Sequence, residues 1–276
     1  MQDRLVWLLK FFPLQAHVFQ AGPLCHSAQF LASEGVGHIH VLLSGAMHLH
    51  TPGQPLMRVT EPSLAFYMNP TDHRLEPQGE GAEMVCAGFK FGNGLANPLF
   101  QALPGLVLIR LEDMPTLATT LELLFKEARE QHCGRQAVLD RLMEVVVVQL
   151  LRDLMDQKRL NFGLLAGLAD ARLMKAINAM HAEPAKSWSL EDLADVAGMS
   201  RARFAVKFRE TVGQTPGAYL GAWRLGVAQA LLRRGKPVQV VADEVGYASA
   251  SALSRAFTAQ VGVSPREWLR AHFDQE

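Results

Sequence analysis

Cysteine is scarce in this chain, long apolar runs are missing, and neither sign of charge dominates. Cys25, Cys86 and Cys133 are an odd set without CxxC spacing, which argues against a disulfide framework and suits a reducing cytoplasm. No apolar run reaches bilayer length, so no membrane partner is expected. The valine run Val145–Val148 is flanked by Glu144 and Gln149 and lies inside a helical pattern. The apolar N-terminus is interrupted by Asp3 and Lys10 and lacks a small-residue cleavage site, so no signal peptide is expected. Lys and Arg number 27, as do Asp and Glu. Residues 170–276 hold 14 basic against 11 acidic side chains, and residues 1–169 hold 13 against 16. That bias is too mild to identify a nucleic-acid binder, so the case must rest on pattern.

What is present is an ordinary globular composition, 49% hydrophobic and 20% charged, over 276 residues. That is enough for two domains, each with its own core. Between residues 14 and 110, short apolar runs such as Ile39–Leu43, Met47–His50, Ser63–Met68 and Met84–Phe91 alternate with Gly, Pro, Asn and Asp. They read as strands of a small β-sandwich or barrel. From Pro115 the period becomes helical, with Leu117, Leu121, Leu124, Phe125 and Ala128 on one face. A longer helix follows from about Gln136 to Asp156, apolar on more than one side through Val138, Leu142, Val145, Val146 and Leu150. Such a helix packs on the β domain or in a dimer interface. Residues 160–169 have the paired glycines of a linker but are too apolar to be free in solvent, so docking or a short helix is expected.

The strongest signal is an internal repeat. Phe208, Val212, Gly213, Pro216, Tyr219 and Leu220 recur 49 residues later as Phe257, Val261, Gly262, Pro265, Trp268 and Leu269. Ala194, Asp195 and Gly198 match Ala242, Asp243 and Gly246 at an offset of 48. Each copy has the grammar of a helix-turn-helix. In the first, Ser189 and Asp192 form a capping-box pair, Gly198 makes the turn and Ser200 caps the next helix. Phe204 and Phe208 then point back into the core. In the second, Val238, Val241, Ala242 and Val245 form the first helix, Gly246 the turn, Ser249 the cap, and Leu253 with Phe257 the anchors. Between the copies, Pro216 opens a helix of about 18 residues, roughly 27 Å long, ended by Gly235-Lys-Pro237. That length suits two reading helices about one DNA turn, roughly 34 Å, apart.

The second helices expose side chains suited to DNA: Arg201, Ala202, Arg203, Val206 and Lys207 in the first copy, and Ser249, Ala250, Ser251, Ser254 and Arg255 in the second. Guanidinium groups bind guanine edges or phosphates, hydroxyls suit either, and small apolar groups meet a thymine methyl. A solvated helix face would explain the cations but not the duplicated caps and turns.

Residues 171–272 resemble the DNA-binding domain of the AraC/XylS family of bacterial transcription regulators. The resemblance places Ala202, Arg203, Val206, Ala250, Ser251 and Arg255 where family members contact bases. Several of these are small, so sequence reading leans on Arg203 and Arg255 or on DNA shape. Residues 15–110 resemble, more loosely, the cupin-type sensor domains that precede such DNA-binding domains. His38-Ile-His40 with Gly45, and Asn69-Pro-Thr-Asp-His73, are similar to the two cupin histidine motifs. Leu42, Leu43 and Ser44 stand where the acidic cupin ligand is expected, which counts against an iron-type catalytic site. Cys25, His40, His73 and Cys86 make an N2S2 set that suits a closed zinc site, with His38 an alternative ligand. The competing reading is buried thiols and hydrogen-bonded histidines; His48 and His50 show that this sheet also carries histidines with no evident partner.

The expected fold is therefore α+β: a cupin-like sensor domain with a helical dimerisation segment over residues 1–160, then an all-α domain with two helix-turn-helix units over 161–276. The expected function is a one-component, non-enzymatic transcription regulator. Its expected partners are promoter DNA, a small-molecule effector, a second copy of the chain and, where it activates, RNA polymerase. The alternatives are a cupin-type metalloenzyme with an accessory helical tail, and an architectural protein whose tail binds protein.

Overall fold

Alternating apolar residues and one pair of glycines shape the first half of the chain. The computed structural model describes residues 3–33, 35–92 and 105–273. Residues 93–104, within the stretch read as β, lie outside the described residues. A short helix α1 (Val6–Phe11) precedes seven strands: β1 (Leu14–Leu24), β2 (Ala28–Phe30), β3 (Gly37–His50), β4 (Met57–Val59), β5 (Ser63–Tyr67), β6 (His73–Phe91) and β7 (Val107–Arg110). All pairings are antiparallel, in the order β1-β6-β3-β5-β7, with β2 added to β6 and β4 to β3. The long β3–β6 ribbon bends where its register shifts, between Leu42 and Ser44 and between Gly45 and Ala46. Gly45 has φ +89° and Gly81 φ +111°, and a Cβ on Gly45 would overlap the Gly81 carbonyl. Only glycine fits that crossing. The bend folds the two ends of the ribbon over one core, in which Leu42, Ala65, Met84 and Cys86 meet Met47, Leu49, Val59 and Leu75.

Two helices complete this unit, α2 (Ala118–Arg129) and α3 (Arg135–Asp156). The apolar face read in α2 is the buried one. Helix α3 packs on β1 and buries Leu139, Met143, Val146, Val147, Leu150 and Leu151. Its polar residues do a second job. Asp140 Oδ1 accepts from the Val18 amide (2.8 Å), Glu144 Oε1 from the Ala16 amide (3.3 Å), and Gln136 donates to the Val18 carbonyl (2.8 Å). These side chains cap backbone groups of an edge strand that would otherwise invite another chain. Val138 and Val145 on the remaining face stay 43% and 45% exposed.

The second unit is helical: α4 (Leu164–Ala169), α5 (Leu173–Ala182), α6 (Leu190–Ala197), α7 (Arg201–Val212), α8 (Pro216–Arg233), α9 (Val238–Val245), α10 (Ala250–Val261) and α11 (Pro265–Phe273). The apolar stretch around residues 160–169 becomes the buried short helix α4. The chain changes unit between Leu160 and Asn161, but the first unit does not begin at the N-terminus. The segment up to Pro13 belongs with the helices. Leu5, Leu8 and Phe12 of that segment are buried, and the rings of Phe11 and Phe12 meet Trp223 of α8 at 6.0 and 5.5 Å. The expected boundary grouped this segment with the sensor domain; in the structure the apolar side chains of Leu5, Leu8 and Phe12 pack with the helices.

Candidate nucleic-acid interface and a histidine-lined cavity

The first helix-turn-helix is set by local chemistry. Ser189 Oγ accepts from the Asp192 amide (3.0 Å), and Asp192 Oδ2 accepts from the Ser189 amide (2.9 Å), closing the capping box. The Ser189 hydroxyl and amide hold the Asp192 carboxyl below the usual carboxylate range. Gly198 ends α6 in the left-handed region (φ 63°), and the Met199 amide returns to the Ala194 carbonyl (2.9 Å). Ser200 begins α7 in extended conformation, but without the side-chain cap expected of it. Phe204 and Phe208 are fully buried, so α7 turns Arg201, Ala202, Arg203 and Val206 to solvent. Thr215 caps α8 through the Ala218 amide (3.3 Å), with Pro216 at the first helical position.

The second copy repeats the architecture with other means. Helix α9 starts after Pro237 with no side-chain cap and ends at Gly246 (φ 83°), where the Tyr247 amide reaches the Ala242 carbonyl (2.8 Å). Ser249 Oγ caps α10 by accepting from the Ala252 amide (3.1 Å). Leu253 and Phe257 anchor α10, leaving Ser251 and Arg255 exposed and Ser249, Ala250 and Ser254 half-buried. A second capping box, Ser264 with Glu267, starts α11. All ten residues expected to face DNA lie on α7, on α10 or at its cap.

A different arrangement occupies the β-rich unit. His73 Nδ1–H donates to the Thr71 carbonyl (2.7 Å), which leaves His73 Nε2 bare to accept from His40 Nε2–H (2.8 Å). His40 Nδ1 is then buried without a hydrogen-bond partner among the described residues. Phe30 and Tyr67 sandwich the His73 ring at 5.1 and 3.9 Å between centroids, and Tyr67 Oη meets Thr51 Oγ1 at 3.0 Å. Burial pushes the His73 pKa down to about 4, against the pull of the Thr71 carbonyl. Burial, with His73 and His38 nearby, holds His40 well below the ordinary histidine range. The cluster is therefore neutral at pH 7. Beside it opens a cavity of about 490 Å³, lined among others by His73, Thr51, Gln29, His50, Asp72 and Arg74.

Comparison with known proteins decides the family. Residues 3–156 match the family described as Cupin, and residues 193–271 match a helix-turn-helix domain family. A putative AraC-like transcription regulator of Streptomyces lividans is 34% identical over 198 residues, covering 70% of this chain and 65% of that protein. The chain belongs, by its first half, to the Cupin family, and it is similar over most of its length to AraC-like transcription regulators. The HTH-type transcriptional regulator AlkR of Acinetobacter baylyi is 35% identical over 179 residues, 63% of this chain and 58% of that protein. The chain thus spans less than two thirds of the length of these two relatives. The RCS-specific HTH-type transcriptional activator RclR of Escherichia coli is 29% identical over 235 residues, 83% of this chain and 82% of that one.

Within this chain, the N2S2 set does not assemble. His40 and His73 come together, and Cys86 faces His40 across the β3–β6 ladder. Cys25, however, is exposed beyond the Leu24–Ala82 pair, whereas Cys86 lies beside Gln20. Five strand positions, roughly 16 Å, separate the two thiols. Cys86 is packed among apolar side chains, and burial pushes its thiol well up, away from the thiolate a zinc ligand must be. His38 stands on the same face, its ring 5.2 Å from His73. The residues do not fit a closed four-ligand zinc site. Nor is His50 unpartnered: its Nε2 meets Glu76 Oε2 at 2.7 Å.

Sequence reasoning also missed the partner of Lys207, which is ion-paired with Asp170 at the start of α5. Burial would raise the Asp170 carboxyl, but Lys207 and the Leu173 and Arg172 amides outweigh it and hold it low. The cavity walls escaped notice as well. Thr51, Gln54 and Leu56 belong to a turn with no periodicity, and the one signal was Arg74, a long cation beside the second histidine motif.

Proposed function

We propose that this chain is a one-component transcription regulator that binds promoter DNA through α7 and α10 and a small effector in the cavity beside His73. The observation that carries the reading is the pair of helix-turn-helix units with Arg201, Arg203 and Arg255 exposed on their second helices. The cavity supports the sensing half: Arg74, Gln29 and Gln54 offer donors and Asp72 an acceptor, which suits a small polar molecule. The reading assigns no catalysis, since Leu42, Leu43 and Ser44 replace the acidic cupin ligand. RNA polymerase is the further partner where binding activates transcription. The direct test is anisotropy of the full chain with a labelled random-sequence duplex of about 30 bp across a salt series. Affinity falling steeply with salt is expected, because several phosphates exchange counterions for Lys and Arg. No binding at low salt, or binding indifferent to salt, would overturn the reading.

The same reading includes a homodimer through the outer face of α3. Val138 and Val145 are exposed there, with Leu142 half-buried between them, one helical face long. Val145→Glu should convert a dimer into a folded monomer by sedimentation, with circular dichroism unchanged. A wild-type chain monomeric at high micromolar concentration would refute it.

A further inference from the structure

A second set of donors converges on the outer face of the bent β3–β6 ribbon. His48 and His50, two apart on β3, project from the face opposite Met47 and Leu49, which fill the core. Glu76 stands directly across from His48 in the ladder, so its carboxylate shares that face. One nitrogen of each imidazole and one Glu76 oxygen all lie within 4.8 Å of one another. The side chains of His50 and Glu76 are 32% and 42% exposed, so solvent reaches both.

We propose that His48, His50 and Glu76 form a three-ligand site for a borderline divalent transition-metal ion, with zinc the best match. Ligand bonds of about 2.0–2.2 Å place tetrahedral neighbours roughly 3.3–3.5 Å apart. His50 Nε2 and Glu76 Oε2, now sharing a hydrogen bond at 2.7 Å, need separate by less than about 1 Å, and His48 has only to draw in. Side-chain rotation is enough, because the paired strands already hold the three Cα positions. Two imidazoles and one carboxylate suit zinc, nickel or copper and are a poor match for calcium or magnesium, which take oxygen. Three protein ligands on a half-open face leave a coordination position for water.

Arg74 is the resident competitor. It lies opposite His50 in the ladder, its Nη2 3.4 and 3.5 Å from the two His50 nitrogens and 3.8 Å from the Glu76 carboxylate. In the metal-free chain its guanidinium balances Glu76. An incoming cation must displace it, so Arg74 sets the threshold concentration for metal. His50 and Arg74 also line the neighbouring cavity, whereas His48 and Glu76 lie outside its lining.

The test is calorimetric titration of chelator-treated full-length protein with zinc chloride, and with cobalt chloride for its visible spectrum. One equivalent should bind. His50→Ala and Glu76→Gln should each weaken binding by about tenfold or more, Arg74→Ala should tighten it, and His40→Ala and Cys86→Ser should leave it unchanged. The cobalt spectrum should lack a thiolate charge-transfer band. His48→Gln, a conservative change on a half-exposed strand position, repeats the test if another variant unfolds. No binding at high micromolar zinc overturns the proposal. So does affinity that survives both His50→Ala and Glu76→Gln, or that is lost in His40→Ala.

Discussion

The two helix-turn-helix copies share a scaffold and almost nothing of the surface it presents. At the 49-residue offset, Arg201, Arg203, Lys207 and Arg209 of α7 correspond to Ala250, Ala252, Ala256 and Thr258 of α10, while Val206 corresponds to Arg255. Every cation on one reading helix faces a small or apolar residue on the other. The buried parts behave differently: Phe204 and Leu253, Phe208 and Phe257, and the glycine turns all persist. Packing and backbone conformation constrain the scaffold, whereas the exposed positions answer only to what they touch. The copies are therefore not two readings of one half-site. The first brings charge, and the second brings hydroxyls and methyls with a single guanidinium.

The cores also differ beneath the third helices, and acid should expose this most strongly. Tyr219 Oη donates to His181 Nε2 (2.5 Å), and His181 stacks on Trp223 at 3.6 Å. In the second copy Trp268 replaces Tyr219 and carries Arg233 over its face at 4.8 Å. Burial pushes the His181 pKa down to about 3, from 6.5 in an unfolded chain. Between those values the unfolded state holds the extra proton, so stability is complete above pH 6.5 and falls as pH drops toward 3. All four tryptophans, at 7, 188, 223 and 268, lie in the helical unit, so denaturation followed by their fluorescence isolates it. The expected loss amounts to several kcal/mol over that window. His181→Gln should flatten the limb above about pH 5, where carboxylates do not titrate. An unchanged slope in that variant would dissolve this difference between the copies.

The turns should separate next. Gly198 and Gly246 are both left-handed, yet a Cβ at Gly198 meets open space, whereas at Gly246 it would lie 2.6–2.9 Å from the Ala185 backbone. Gly198→Ala should cost roughly 1–2 kcal/mol of conformational strain. Gly246→Ala should cost about 3 kcal/mol or more, because backbone must also move. Equal midpoints in urea would show that the second turn is looser than its packing implies.

The smallest effects concern the reading helices. Arg203→Ala and Arg255→Ala should each cost roughly 1–3 kcal/mol on a selected binding sequence, and each should relax preference at a different place within its half-site. Lys207→Ala should weaken all sequences alike and by less, since Lys207 must first leave Asp170. Identical relaxation patterns for the two arginines would make the copies equivalent readers after all.

The helical half was legible in the sequence because its instructions are local. Ser189 and Asp192 are three apart, Gly198 follows its helix directly, and Pro216 sits at the residue where α8 begins. The strands were legible as elements, but their convergence was not. Whether Cys25 meets Cys86 depends on the β1–β6 register, and whether His48 has a partner depends on which β6 residue lies opposite. Neither quantity is written in spacing along the chain. The same holds for Lys207 and Asp170, and for the aromatic residues of α1, whose partner Trp223 is more than two hundred positions away.

The placement of α1 makes the β-rich unit an insertion. The chain begins among the helices, leaves at Pro13, and returns at Asn161, so the helical domain is discontinuous in sequence. A chimera cut only near residue 160 would inherit a core lacking Leu8 and Phe12, with one face of Trp223 laid bare. Exchanging the β-rich unit between related chains therefore requires two junctions, and residues 3–13 must travel with the helical half.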